Sequence, residues 1–206
     1  MKLQISFDIT DLNRALEIAK QVAPFADVIE IGTMLIYHHG LNAVEQFRTT
    51  LPDKTLLVDA KIVDRGKQAI TAIAKAGADW ITVMAGTNKN VIHSACATAS
   101  SLKKQIMLDL LDASTSAQGA LEAKSLGASG LLLHAPFEET NAMQFLEQWQ
   151  MVRGNTDLPI FVSAHITRET IAQVAHVKPD GIVIGRAIIE SENPAKEAQF
   201  FKEFIM

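Results

Sequence analysis

Cysteine is nearly absent from this chain of 206 residues. Cys96 stands alone, which excludes an internal disulfide and any zinc centre built on thiolates. Its Ala- and Ser-rich surroundings suit a small packing residue better than a nucleophile. Long apolar runs are missing as well, and none reaches the roughly 18 residues of a membrane span. The opening Met1-Lys2-Leu3-Gln4-Ile5-Ser6-Phe7-Asp8 passes directly into a strand pattern, without the apolar region and small-residue cleavage site of a signal peptide. The cytoplasm is therefore the expected compartment. Nor is there a surplus of basic residues: 19 Lys and Arg against 23 Asp and Glu leave a net charge of -4. The cations are scattered rather than striped, so neither nucleic acid nor a membrane is indicated as a partner. A local cation site for an anionic small substrate stays open. No linker is evident, and residues 1–206 read as one domain.

What remains is an ordinary soluble composition, 48% hydrophobic and 20% charged, arranged with a strong period. Strand patterns start near residues 3, 27, 55, 79, 105, 129, 158 and 180. The intervals of roughly 22 to 29 residues each hold one strand, one helix and two short turns. Helical spacing follows each strand, at 12–22, 41–50, 67–76, 91–102, 117–125, 140–152, 168–176 and 194–204. Two units resemble each other openly, and Gly77 and Gly127 are each expected to end a helix in a left-handed turn. Eight strands alternating with eight helices favour a (β/α)8 TIM barrel over an open doubly wound sheet.

Function in such a barrel sits at the carboxyl ends of the strands. The polar residues there are Asp8, Glu30, Asp59, Lys61, Asp64, Asp109, His134, Ser163, His165 and Arg186 after Gly185. The run Leu56-Leu57-Val58-Asp59-Ala60-Lys61-Ile62-Val63-Asp64 carries three of these charges inside a strand pattern. Alternation puts Asp59 and Lys61 on one face, with Asp64 in the following loop. A plain salt bridge capping the strand is the competing explanation. Converging carboxylates at Glu30 and Asp59 would repel unless a hard cation such as Mg2+ joined them. A lysine held between two acids stays protonated, suited to stabilising an oxygen anion. Bland alternatives exist elsewhere too: Asp8 as a helix cap, Ser163 as a strand-end hydroxyl, His134 as a core histidine, and Arg186 paired to Glu190 or Glu192. His38, His39, His93 and His176 read as surface residues. Ser163-Ala164-His165 and Gly185-Arg186 occupy the place where many barrels bind phosphate.

Assembled, these segments resemble the group uniting 3-hexulose-6-phosphate synthase with 3-keto-L-gulonate-6-phosphate decarboxylase, relatives of orotidine phosphate decarboxylase. The likeness runs through Met1-Lys2-Leu3-Gln4 and Asp8, Val28-Ile29-Glu30-Ile31-Gly32-Thr33, and Asp59-x-Lys61-x-x-Asp64. It continues through Ala76-Gly77-Ala78-Asp79-Trp80-Ile81-Thr82-Val83, His134 and Gly185-Arg186-Ala187-Ile188. The resemblance implies Mg2+ at Glu30 and Asp59, an enediolate stabilised by Lys61, and proton transfer by His134. It implies Asp8 as a further site acid and Arg186 as a phosphate grip. It also implies a homodimer in which Asp64 reaches the partner's site. Phe137 and Asp109 look like the synthase, whereas Arg186 looks like the decarboxylase. Ala164-His165 replaces the group's Gly-Gly. The expected function is the aldol reaction of formaldehyde with D-ribulose 5-phosphate. The alternatives are the decarboxylase reaction and a non-catalytic sugar-phosphate-binding barrel.

Overall fold

The computed structural model describes residues 1–134 and 142–206, with the side chains of all of these except 142–146. Eight parallel strands close into a barrel in chain order. They are β1 (Lys2–Phe7), β2 (Val28–Ile31), β3 (Thr55–Ile62), β4 (Trp80–Met84), β5 (Gln105–Asp109), β6 (Gly130–His134), β7 (Ile160–Ser163) and β8 (Gly181–Ile184). Pairing of Ile5 with Ile184 joins the last strand to the first. The helices are α1 (Leu12–Val22), α2 (Thr33–His39), α3 (Leu41–Thr50), α4 (Gly66–Lys75), α5 (Lys89–Ser101), α6 (Ser116–Leu126), α7 (Ala142–Arg153), α8 (Ile171–His176), α9 (Arg186–Ile189) and α10 (Pro194–Phe204).

The expected barrel is the observed one, with two additional helices. Sequence spacing reads Gly32-Thr33 as a turn, but α2 starts there. No side chain of its own caps it. Instead the carboxylate of Asp8, at the end of β1, accepts a hydrogen bond from the Met34 N–H at 2.8 Å. A cap borrowed from another strand leaves no local signature. Four-residue α9, likewise without a capping side chain, is too short to show helical periodicity. Gly77 and Gly127 do take positive φ, 116° and 92°, as their place after α4 and α6 requires. Cys96 is buried in α5, and burial pushes its thiol up to about 11, which suits a packing residue.

Strand alternation divides the barrel's apolar residues into two sets. Leu3, Ile5, Phe7, Ile29, Ile31, Leu56, Val58, Ile81 and Val83 join the large core shared with the helices. Val28, Leu57, Met107, Leu132, Phe161 and Val183 form a separate cluster with Trp80. With a side-chain period of two, this second set faces the barrel axis. Two residues further along the same strands, the inward positions are Glu30, Asp59, Thr82, Asp109, His134 and Ser163. The barrel interior is thus an apolar layer below and a polar layer above, at the carboxyl-end mouth.

Candidate active site

Lys61 owes its position to an irregularity in β3. The register with β4 shifts between Val58 and Ile62, and Lys61 adopts φ 45°. A left-handed lysine costs about 1–2 kcal/mol, and a bulge of this kind re-aims a side chain. Thr82 secures it: its hydroxyl accepts from the Lys61 N–H at 2.9 Å and donates to Asp59 Oδ1 at 2.8 Å. The Thr33 hydroxyl lies 2.8 Å from Asp59 Oδ2 and 3.0 Å from the Asp59 carbonyl. Lys61 Nζ then stands 3.0 Å from Asp59 Oδ2 and 3.3 Å from Asp109 Oδ2. Burial works against its charge, but the two carboxylates outweigh burial and hold the ammonium above its ordinary range. The lysine between two acids is present as expected. Its second acid is Asp109, however, and not Asp64.

Asp109 is fully buried and joins three groups. Oδ2 meets Lys61 Nζ and His134 Nδ1, the latter at 3.2 Å, while Oδ1 accepts from the Leu111 N–H at 2.9 Å. Burial alone would raise its pKa, but the His134 hydrogen bond, the His134 and Lys61 charges and the backbone donor bring it below the usual range. An ionised carboxylate only accepts, so His134 Nδ1 carries the proton and Nε2 is left for chemistry. Burial depresses the His134 pKa, and the bond and charge of Asp109 reverse this, leaving it above the ordinary 6.5. His134 is hydrogen-bonded, then, but to a carboxylate in the mouth rather than within an apolar core.

Glu30 faces the same network from β2. Ser6 Oγ donates to Oε1 at 2.7 Å and Gln4 Nε2 to Oε2 at 2.5 Å. Burial first, then repulsion from Asp59, lifts its pKa to about 7 against those two donors. Two hard oxygen donors that repel each other fit a small divalent cation. Among the described residues no group of three or more His, Cys, Asp or Glu gathers to hold a metal. An ion here would complete its shell with substrate oxygens and water, which is the habit of Mg2+.

The remaining expectations divide. Asp64 is exposed beyond β3, where it accepts from the Arg65 N–H at 2.6 Å, so it does not join Lys61 within its own chain. Alternation cannot place a residue past the end of the strand. Asp8 is at the mouth and caps α2, not the helix that follows it in sequence. At the other side, Ser163 pairs in register with His134. His165 has φ 48°, so a histidine occupies a conformation that glycine favours. Arg186 Nη2 is 3.4 Å from His165 Nδ1, and its described partner is that ring rather than Glu190 or Glu192. Gly185 immediately precedes α9. Phe137 lies outside the described residues. His38, His93 and His176 are exposed and His39 is half-buried, with its ring 2.8 Å from the Thr10 carbonyl.

Sequence reading missed Gln4, Ser6, Thr33 and Thr82. Thr82 could have been found from its place, the one inward polar residue of an otherwise apolar Trp80–Met84. Gln4 and Ser6 share that signal, alternating with Leu3, Ile5 and Phe7.

Charges this costly to bury, meeting where barrel enzymes carry their chemistry, define the class as a (β/α)8-barrel enzyme, and its relatives make it a lyase. The chain belongs to the orotidine 5'-phosphate decarboxylase / HUMPS family, whose model matches residues 1–201. It is 32% identical over 200 residues to the 3-hexulose-6-phosphate synthase of Mycobacterium gastri, covering 97% of each chain. A crystal structure of 3-hexulose-6-phosphate synthase superposes with a TM-score of 0.93 at 30% identity, covering 100% of both chains. The structure of 3-keto-L-gulonate-6-phosphate decarboxylase from Vibrio cholerae gives 0.83 at 27% identity, over 100% of this chain and 98% of that one.

Proposed function

We propose that this chain is a Mg2+-dependent 3-hexulose-6-phosphate synthase, joining formaldehyde to D-ribulose 5-phosphate or running the reverse, in the cytoplasm. The observation that carries the reading is the single buried carboxylate of Asp109 holding both Lys61 and His134. The same acid keeps one group cationic and makes the other a stronger base. The names of the relatives support the substrate assignment.

In this reading the phosphate end of the sugar lies toward Ser163, His165, Gly185 and Arg186, and the carbonyl end toward Lys61. A guanidinium suits a phosphate because its N–H groups pair with two oxygens at once. Glu30 and Asp59 would hold Mg2+, which when bound supplies positive charge to adjacent sugar oxygens and eases loss of the proton beside the carbonyl. His134 Nε2 takes that proton, because Nδ1 is committed to Asp109. The Lys61 ammonium stabilises the enediolate oxygen. The enediolate carbon attacks formaldehyde, and the proton returned from His134 neutralises the new alkoxide.

A homodimer follows from the same resemblance, with Asp64 contributing to the partner's site. Exposure of Asp64 and of apolar neighbours supports it: Tyr37 is 73% and Val63 57% exposed, and α2 packs beside β3. Sedimentation showing a monomer at assay concentration would remove that role.

The deciding assay incubates the purified protein with Mg2+ and each sugar phosphate, following formaldehyde consumption and CO2 release separately. Formaldehyde consumption is the expected result. Release of CO2 from a 3-keto sugar acid phosphate would select the decarboxylase instead, the reading that Arg186 favours. Calorimetric binding of ribulose 5-phosphate without turnover would leave a non-catalytic binding barrel.

A further inference from the structure

The register of β3 against β4 leaves one residue opposite three. Val58 pairs with Ile81 and Ile62 with Val83, so Thr82 alone faces the stretch Asp59-Ala60-Lys61. A strand that carries extra residues bends away from its neighbour, and its ladder of backbone hydrogen bonds is locally broken. At Lys61 a side chain fills the gap: the N–H is met by the Thr82 hydroxyl at 2.9 Å. On its other edge β4 is regular. Ile81, Thr82, Val83 and Met84 pair in unbroken register with Ile106, Met107, Leu108 and Asp109 of β5. The hydroxyl that meets Lys61 is therefore carried on a strand fixed to β5, the strand that also carries Asp109.

Thr82 is fully buried, and both capacities of its hydroxyl are used. Oγ1 accepts from the Lys61 N–H and its own proton goes to Asp59 Oδ1 at 2.8 Å, since a carboxylate oxygen accepts. One side chain thus ties the backbone of Lys61 to the carboxylate of Asp59. The tie has something to hold. Lys61 has φ 45°, a conformation unfavourable for a residue with a Cβ, which persists where the surroundings impose it.

We propose that Thr82 is a positioning residue for the reaction at the mouth: by accepting from the Lys61 N–H and donating to Asp59, it holds Lys61 in the left-handed conformation that delivers its ammonium between Asp59 and Asp109. Thr82 acts through these two residues. The catalytic consequence rests on the reaction proposed above, and the positioning does not.

The test compares Thr82→Val, which keeps the β-branched shape and suits a strand, with Thr82→Ser, which keeps the hydroxyl. Crystal structures of the two variants read the geometry. In Thr82→Val, Lys61 should leave positive φ, and its Nζ should stand more than about 4 Å from Asp109, beyond ion-pair reach. In Thr82→Ser both should stay in place. Steady-state kinetics reads the consequence, by formaldehyde consumption or CO2 release, whichever the unaltered protein performs. Thr82→Val should lose about 100-fold in kcat, the effect of a misplacement near 1 Å, with KM changed less than about threefold. Thr82→Ser should keep kcat within about fivefold. A threonine that only fills the strand predicts the reverse order, with valine harmless and serine, which lacks the methyl group, the more damaging. Should Thr82→Val not fold, Thr82→Ala takes its place with the same expectations. The proposal is overturned by Lys61 unmoved when the hydroxyl is gone, by a kcat loss under about tenfold in that variant, or by an equal loss in Thr82→Ser. If the unaltered protein turns over neither substrate, the functional reading falls, and the crystal structures still decide what Thr82 holds.

Discussion

Two layers of side chains face the axis of this barrel, two residues apart on the same strands, and their chemistry is opposite. The lower holds Val28, Leu57, Met107, Leu132, Phe161 and Val183 with Trp80. The upper holds Glu30, Asp59, Thr82, Asp109 and His134, of which all but His134 are buried. The apolar layer gains stability from removal from water, about 1.5–3 kcal/mol for a fully buried aliphatic or aromatic side chain. Burial costs the polar layer stability, and mutual pairing offsets the cost in part. The stable layer therefore serves as a floor on which strained and expensive groups can be held. Gln4 is where the two meet: it stands in register with Val28 of the lower layer, and its nitrogen donates to Glu30 of the upper.

Breaking the upper layer should affect chemistry most. On the proposed mechanism, Lys61→Met should lower turnover about 1,000-fold, because the enediolate would lose its nearest fixed cation; steady-state kinetics of purified variants measures this. A loss below tenfold would remove Lys61 from the mechanism. His134→Gln should cost about 100-fold or more. In the unaltered protein, the base must be neutral and its pKa lies above 6.5, so rate should rise as pH rises through a value above 6.5. That limb should vanish from the pH profile of the variant.

Breaking the lower layer should affect the fold instead. Leu57→Ala removes a buried side chain and should cost about 2–5 kcal/mol in urea unfolding, with turnover changed less than threefold in the folded fraction. A large turnover loss without destabilisation would show that the two layers do not act separately. The smallest effect is expected outside both layers, at Asp79. It pairs with Arg48 and Lys104 at the amino-terminal side of β4 and accepts from the Leu56 N–H. Burial would raise its pKa, but that backbone bond and the two cations bring it below 3.8. A depressed acid contributes stability above its unfolded pKa and loses it as pH falls through the folded value. Asp79→Asn should therefore lower stability at neutral pH by under about 1 kcal/mol, since the pair is part-exposed. The difference should shrink below pH 4 in acid-unfolding curves.

The barrel could be read early because its signals are local. Strand alternation and helix spacing repeat eight times, and each repeat supports the next. The mouth residues could be listed for the same reason, as the polar ends of apolar strands. What could not be read was partnership. Asp64 follows Lys61 by three positions and was expected in the loop after the strand, which left the second acid beside Lys61 unidentified. The strand ends before Asp64, and the bulge at Lys61 turns the side chain toward Asp109, 48 residues away. Asp8 was read as a possible helix cap, but α2, the helix it caps, was not read, because cap and helix lie 26 residues apart. At β7 and β8, Arg186 and His165 were both named, but not that they meet each other, where His165 has a left-handed backbone.

By itself, the sequence determined the period of the chain, the alternation inside its strands and the kinds of charge it carries to their ends. These follow from the backbone geometry of helices and strands, which acts over a few residues. Only the tertiary structure decided which charges pair, because laying β3 and β5 on either side of β4 brings Lys61 within reach of Asp109. It also decided that Gln4, an amide in an otherwise apolar stretch of the first strand, donates to Glu30, since that contact exists only once β1 pairs with β2.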